Sequence, residues 1–441
     1  MANMFELIEE LWFLKRDILS DDYDRALARL AEELPMTIHE VPSGAKVWTW
    51  TVPEKWTCRA ATLESLDGKR LIDYAEHPLH VVSCSLPFEG EVSREELLPH
   101  LHAHFHLPDA IPFVFKYYQR DWGLCASQQL IDSLQEGRYR VHIDTVFEPG
   151  TLKIGEVFIP GEVEDCFVLA AHLDHPAMAN DDLTGVVVGL DVARRLLAGP
   201  TPHFSYRLLI FPETLGSIAY LSQHEELIPK MLGGLFLEML GNAAPHALQS
   251  SFQADSQADR SLLTALHSLE PGAYVGPYRS IIDNDERQFN APGVRVPMLS
   301  LSRVVDPHLP ASRFYPYPEY HSSFDTPEII TQERLEASRD LVLELLRAFD
   351  YNRYLRNRFK GEVFASGHGI WVDYRVNPEG HKRLFEIMER CDGTRTPADI
   401  AIELDLSFQT VWDIIAQLVE KELVALIDTP QSTDPHLTSR S

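Results

Sequence analysis

The stretch CFVLAAHLDHPAMANDDLTGVVVGLDVARRLLAG, residues 166–199, decides how the chain is read. CFVLAA is a short unbroken apolar run, as expected of a strand buried on both faces. GVVVGLDVARRLLAG carries apolar residues at helical spacing. Between them, residues 170–185 hold two histidines and three aspartates. A strand, a polar loop and a helix in that order form the repeating unit of a mostly parallel sheet flanked by helices.

The unit recurs downstream. Strand-like YRLLIF (206–211) precedes a helical segment around IAYLSQHEELI, GLFLEML (234–240) follows, and helix QERLEASRDLVLELLRAF (332–349) closes the pattern. The expected fold is therefore α/β over residues 148–352. Residues 1–36 show two amphipathic helical patterns around SDDYD, expected to pack on the larger core. Residues 37–147 turn to short alternating runs broken by PSG, LDG and FEG, the texture of a β-rich module that could wall or cover a site. Residues 360–430 predict three helical segments with Thr396 and Ser407 as N-caps, arranged like a winged helix-turn-helix, followed by a polar tail, 431–441.

At 441 residues the chain is too long for one ordinary core. Its 66 acidic and 39 basic residues give a formal charge of −27, a surface that repels phosphate backbones and anionic lipid. The winged-helix region repeats this balance, with two basic against seven acidic residues between Arg395 and Asp428. A DNA-binding regulator is thus disfavoured and an interaction or lid role favoured. Neither a basic leader with an apolar core nor a run of 18 apolar residues is found, so no membrane partner and a cytoplasmic location are expected. The cysteines, Cys58, Cys84, Cys125, Cys166 and Cys391, are scattered without CxxC spacing and read as reduced structural thiols.

In open α/β sheets, ligand sites form beyond the carboxyl ends of the strands. His172 follows CFVLAA directly, and Asp174 lies two residues on, where it could orient the imidazole through its second nitrogen. Asp181 precedes a helix, Glu213 follows YRLLIF, Glu238 ends GLFLE, and EYHSSFDTP supplies His321 and Asp325. Four chain segments thus deliver metal-capable side chains to one rim, as an open metal centre requires. The plain alternative is a set of unrelated caps and surface charges. His175 and Asp182, beside these residues, are expected to face water. Asp285, Arg287, Arg303 and Tyr320 are the weaker substrate-binding candidates, with ordinary ion pairing an equal reading of the arginines. The run HLHAHFH, with His100, His102, His104 and His106, reads as an exposed edge rather than a metal site.

These residues resemble the M28-type zinc aminopeptidases. His172-Leu173-Asp174 looks like their first ligand motif, and NDDLTG like the loop of their bridging aspartate. ETLGSIAY is similar to their Glu-Glu-x-Gly segment, EMLG to their Asp-Met-x-Gly strand end, and the YH of EYHSSFDT to the position of their last ligand. SGAKVWTWTVPEKW, DAIPFVFKYYQRDWGLC, DERQFNAPG and EYHSSFD resemble one subfamily, the aminopeptidase-like proteins associated with polysaccharide biosynthesis. The resemblance implies one or two zinc ions held by His172, Asp181, Glu238 and His321, with Asp181 bridging where two are bound. It implies Glu213 as general base, Asp174 as the partner that orients His172, and a small peptide or amide as substrate. Thr214 stands where the family has a second glutamate ligand, so one zinc is expected to dominate. Against this stand a non-catalytic protein that binds a ligand or partner on a peptidase scaffold, and an amidohydrolase step in specialised-metabolite or polysaccharide biosynthesis. The extra domains offer surface enough for a homo-oligomer.

Overall fold

The computed structural model describes residues 2–305 and 315–433, so most of the tail lies outside the described residues. Two compact units divide the chain: residues 1–252 with 276–339, and residues 253–275 with 340–441.

The first unit is built on a mixed sheet, seven strands of which lie wholly within it. Its centre is four parallel strands in the order Ser205–Phe211, Cys166–His172, Met231–Glu238, Met298–Arg303. All seven residues of Cys166–His172 are buried, which explains why that strand reads as a continuous apolar run and not as an alternation. Thr151–Ile159 pairs antiparallel with Ser205–Phe211, and Thr37–Pro42 extends that edge. His246–Gln249 pairs antiparallel with Met298–Arg303 on the other side. The alternation of strands and helices thus gives the α/β sheet expected, with an antiparallel margin.

Helix Leu183–Ala198, capped by the Asp182 side chain, follows the central strand. Helix Met4–Leu11 lies against it, burying Met4, Leu7, Ile8 and Leu11 on one face. A capping box between Asn3 and Glu6 starts that helix, and Ser20 caps Asp21–Ala31. Within residues 37–147, a four-stranded antiparallel sheet runs in the order Arg70–Asp73, Lys55–Ser65, Arg138–Glu148, Phe88–Ser93 over a core that includes Trp56, Leu63, Val141 and Ile143. Thr37–Pro42 does not join it, because its partner is the main sheet.

In the second unit, helices Pro378–Met388, Pro397–Leu404 and Phe408–Glu420 share a core of Ile387, Ile400, Val411 and Ile415 with the antiparallel strand pair Tyr354–Asn357 and Val424–Ile427. Helix Gln257–Leu269 packs against Pro397–Leu404 and Phe408–Glu420, so residues 253–275 belong with this unit although they fall inside the α/β stretch of the sequence. Thr396 and Ser407 cap their helices as the sequence predicts. No helix among the described residues is long and apolar enough to cross a membrane.

Candidate metal centre

The parallel strands deliver their carboxyl ends to one rim. His172 closes the central strand and Glu238 the next, and pairing of Ala170 with Phe236 keeps the two ends level. Glu213 follows the end of Ser205–Phe211 by two residues. The loop 173–182 then folds back over this rim. Its shape is set by side chains that satisfy a neighbouring backbone: Asp182 accepts from Met239 N at 2.9 Å, Thr184 Oγ1 from Leu240 N at 2.8 Å, and Asn180 Oδ1 from Gly241 N at 3.0 Å. Three consecutive amides beyond Glu238 are thereby stitched to the loop that carries Asp181.

A second clamp comes from Asp325. Its Oδ1 accepts from Asn180 N at 2.7 Å and Ala179 N at 3.3 Å, and its Oδ2 from Asp181 N at 3.1 Å and the Tyr317 hydroxyl at 2.7 Å. This ties the 179–181 backbone to the segment bearing His321. That segment is fixed from the β-rich region, where Phe113 N donates to His321 O at 2.8 Å and Ser323 N to Ile111 O at 2.8 Å.

Asp181 sits at the middle of the result. His172 Nε2 lies 3.1 Å from its Oδ1, while His175 Nδ1 and His321 Nε2 lie 3.3 and 3.1 Å from its Oδ2. Three sets offer ligand atoms within 4.8 Å of one another: His172, Asp181 and Glu238; His175, Asp181 and His321; and His172, Asp174 and His175. Both Asp181 oxygens, both His172 nitrogens, His175 Nδ1, His321 Nε2 and Glu238 Oε2 are buried and find no hydrogen-bond partner among the described residues. Buried polar atoms in folded proteins are almost always paired. So many orphans converging from three chain segments fit a cation-binding role, and the mixed imidazole and carboxylate donors suit zinc.

The charge balance agrees. Burial disfavours a charged His172, yet the carboxylates of Asp174 and Asp181 outweigh it and hold the imidazole well above its ordinary range. Burial and the charge of Asp181 push Glu238 well above the usual carboxylate value. Burial would raise Glu213 too, but the hydrogen bond and charge of His175, 3.2 Å away, bring it down to about 2. Crowded carboxylates that strain one another in this way are relieved by a divalent ion.

The other candidates distribute as follows. Asp174 Oδ1 stands 3.3 Å from His172 Nδ1 and accepts from Glu213 N at 2.8 Å, so it links the imidazole to the residue at the base position. Tyr320 stacks on His321 at 3.9 Å and 14°, inside the site. Asp285 is fully buried and accepts from Thr214 N at 2.9 and 3.1 Å and from the Ser217 hydroxyl. It holds the turn after Glu213, and is not a free substrate contact. Arg287 donates from Nε to Asn284 O at 2.6 Å, and buried Arg303 donates to Ala244 O at 2.8 Å and the Ser338 hydroxyl at 3.1 Å.

Two expectations are corrected. His175 and Asp182 do not face water: they are 2% and 0% exposed. The loop turns back at His175, with φ of 81°, and the turn carries the imidazole inward. Asp182 is occupied as a helix cap and as acceptor from Met239. Sequence reasoning also passed over Asn284, whose side-chain amide donates to Glu238 Oε1, and Arg16, discussed below. Asn284 lies immediately before DERQFNAPG, between two aspartates. The histidines of HLHAHFH have other duties: His100 stacks on Trp122 at 3.8 Å, and His104 Nε2 lies 3.3 Å from Tyr320 O.

A parallel-centred sheet with histidine and carboxylate ligands gathered at its strand ends is the aminopeptidase-like fold. The chain belongs to the family described as "Domain of unknown function (DUF4910)", whose model matches residues 5–352. It is 32% identical over 433 residues to the Clostridium acetobutylicum "Putative polysaccharide biosynthesis protein with aminopeptidase-like domain", covering 97% of this chain and 96% of that protein. The crystal structure of a "putative peptidase" from the same organism is similar over 96% of each chain, with a TM-score of 0.85 and 30% identity. A zinc aminopeptidase from Bacillus subtilis shares the fold at a TM-score of 0.58 over 78% of this chain and 93% of its own, at 14% identity.

Proposed function

We propose that the protein is a zinc-dependent hydrolase of amide or peptide bonds, acting as an aminopeptidase-like enzyme on a small peptide or on an amide of the kind made in polysaccharide biosynthesis. The observation that carries this reading is the set of partnerless ligand atoms around Asp181 with Glu213 beside them. His172, Asp181, Glu238 and His321 would hold zinc. Such an ion lowers the pKa of water toward about 7 and polarises a carbonyl.

The chain's own residues do the rest. Glu213, held ionised by His175, accepts the proton of the attacking water and returns it to the departing amine nitrogen. Asp174 accepts from the Glu213 amide and stands 3.3 Å from His172 Nδ1, positioned to orient that imidazole. The Tyr320 ring stacks on His321 and so restrains that imidazole. The polysaccharide-associated relative favours a specialised amide over general peptide turnover. We read the three helices and strand pair of the second unit as a winged helix-turn-helix, which its acidity suits to protein contacts and not to DNA.

Glu213→Gln tests the reading. With aminoacyl-anilides and short peptides as substrates, turnover is expected to fall by about 10²- to 10⁴-fold while zinc content, measured by mass spectrometry of the metal, stays at the wild-type value. A variant that cleaves as fast as wild type, or a wild type inert on every amide offered, overturns it.

A further inference from the structure

We infer that His175 forms, with Asp181 and His321, a second set of metal ligands, so that the chain would hold two ions despite having Thr214 where the family has a carboxylate ligand. This rests on the metal-centre reading above and specifies it further.

The two faces of Asp181 are separately furnished. His172 stands against Oδ1 and shares a cluster with Asp181 and Glu238, while His175 and His321 stand against Oδ2. Each set, Asp181 included, supplies three protein ligands from His, Asp and Glu, the number typical of a catalytic zinc with an open position. His175 itself is 2% exposed, and its Nδ1 is one of the partnerless buried atoms. Its other nitrogen is spoken for: Nε2 lies 3.2 Å from Glu213 Oε2. A proton on Nε2 donated to that carboxylate leaves the Nδ1 lone pair facing the gap between Asp181 and His321. This is how ligand histidines are usually oriented, by a carboxylate on the second nitrogen.

The chain holds His175 in this pose by unusual means. Its φ of 81° is uncommon for any residue but glycine. Its carbonyl accepts from Arg16 Nη2 at 2.8 Å, and the Phe113 ring packs on the imidazole at 4.7 Å and on His321 at 5.4 Å. Thr214, by contrast, directs its amide to Asp285. The position that lost its carboxylate is tied into the turn, and the imidazole of His175 stands against the same oxygen of Asp181 as His321.

The test counts metal. Full-length protein, stripped and reloaded with excess zinc, then desalted, is analysed for zinc per chain. Two equivalents are expected in the wild type and one in His175→Ala. If the alanine variant does not fold, His175→Gln, which keeps the bulk and replaces the ligand nitrogen by an amide, is expected to give the same loss. One equivalent in the wild type, or two in a folded His175 variant, overturns the inference. Failure of the hydrolase reading would look different: zinc would count as two and one, yet no amide would be cleaved.

Discussion

Arg16, wholly buried, donates from Nη2 to the carbonyl of His175 at 2.8 Å, across 159 positions of sequence. The same nitrogen reaches Met178 O at 2.7 Å, and Nη1 reaches Leu11 O at 3.4 Å. Burial lowers the guanidinium to about 10, against the opposing charges of Asp174, Asp325 and Asp181. At neutral pH it therefore stays charged and pins the metal loop to the N-terminal segment. Arg16→Met would leave the His175 and Met178 carbonyls without this donor, Leu11 O keeping its bond from Leu14 N, and would remove a cation from among the carboxylates. The expected loss is about 3 kcal/mol, given that a bond to a charged donor contributes roughly 1.5–3 kcal/mol. Urea unfolding that shows no drop in midpoint would refute this.

Asp325 is the other pin. With four donors converging on one carboxylate, Asp325→Asn forces an amide NH₂ against N–H or O–H groups. Stability should drop by about 2 kcal/mol. Zinc affinity, read by chelator competition, should weaken about 10- to 100-fold, the usual effect of losing a partner that orients a ligand. Unchanged affinity would mean that Asp181 holds its place without this clamp.

Asp17 gives a pH signature. Burial raises it to about 7, more than the hydrogen bond from Ser83 lowers it. In the unfolded chain it ionises near 3.8. The folded state thus keeps a proton that the unfolded state releases, and stability falls as pH rises from about 4 to about 7. Below that window the native carboxyl is neutral and there is no penalty. Asp17→Asn removes the titration, so its stability relative to wild type should grow across the window by up to roughly 1.4 kcal/mol per pH unit. Parallel stability curves for the two proteins between pH 4 and 8 would count against it.

The sheet and the rim were legible because they rest on local pattern. CFVLAA, YRLLIF and GLFLEML carry the unbroken apolar run of strands buried on both faces, and a ligand at the end of such a run needs no distant information. His175 was not legible. Whether its imidazole turns in or out depends on a backbone angle fixed by Arg16 and by Phe113, neither of which is near it in sequence. Asn284 and Asp325 act through bonds 46 and about 145 positions away, and only the fold reveals those. Arg303 shows the converse: a guanidinium offered equally to substrate or to ordinary pairing donates to a carbonyl and a hydroxyl inside the protein.

Gly185 sets local propensity against tertiary contact. It lies in the first turn of Leu183–Ala198, where alanine is favoured over glycine by about 1 kcal/mol. A methyl group there would stand 2.3 Å from Leu237 O and 2.5 and 2.6 Å from the Asp182 oxygens. None of these can retreat cheaply, since Leu237 is in a central strand and Asp182 accepts from Gly185 N and Met239 N. Overpacking of this kind costs about 1–3 kcal/mol, so the clash should outweigh the propensity gain. Gly185→Ala is expected to melt lower than wild type and to bind zinc more weakly, because moving Asp182 moves Asp181. A higher melting temperature with unchanged zinc affinity would show that the helix can shift away from the strand, and that the close approach is not needed to hold the site.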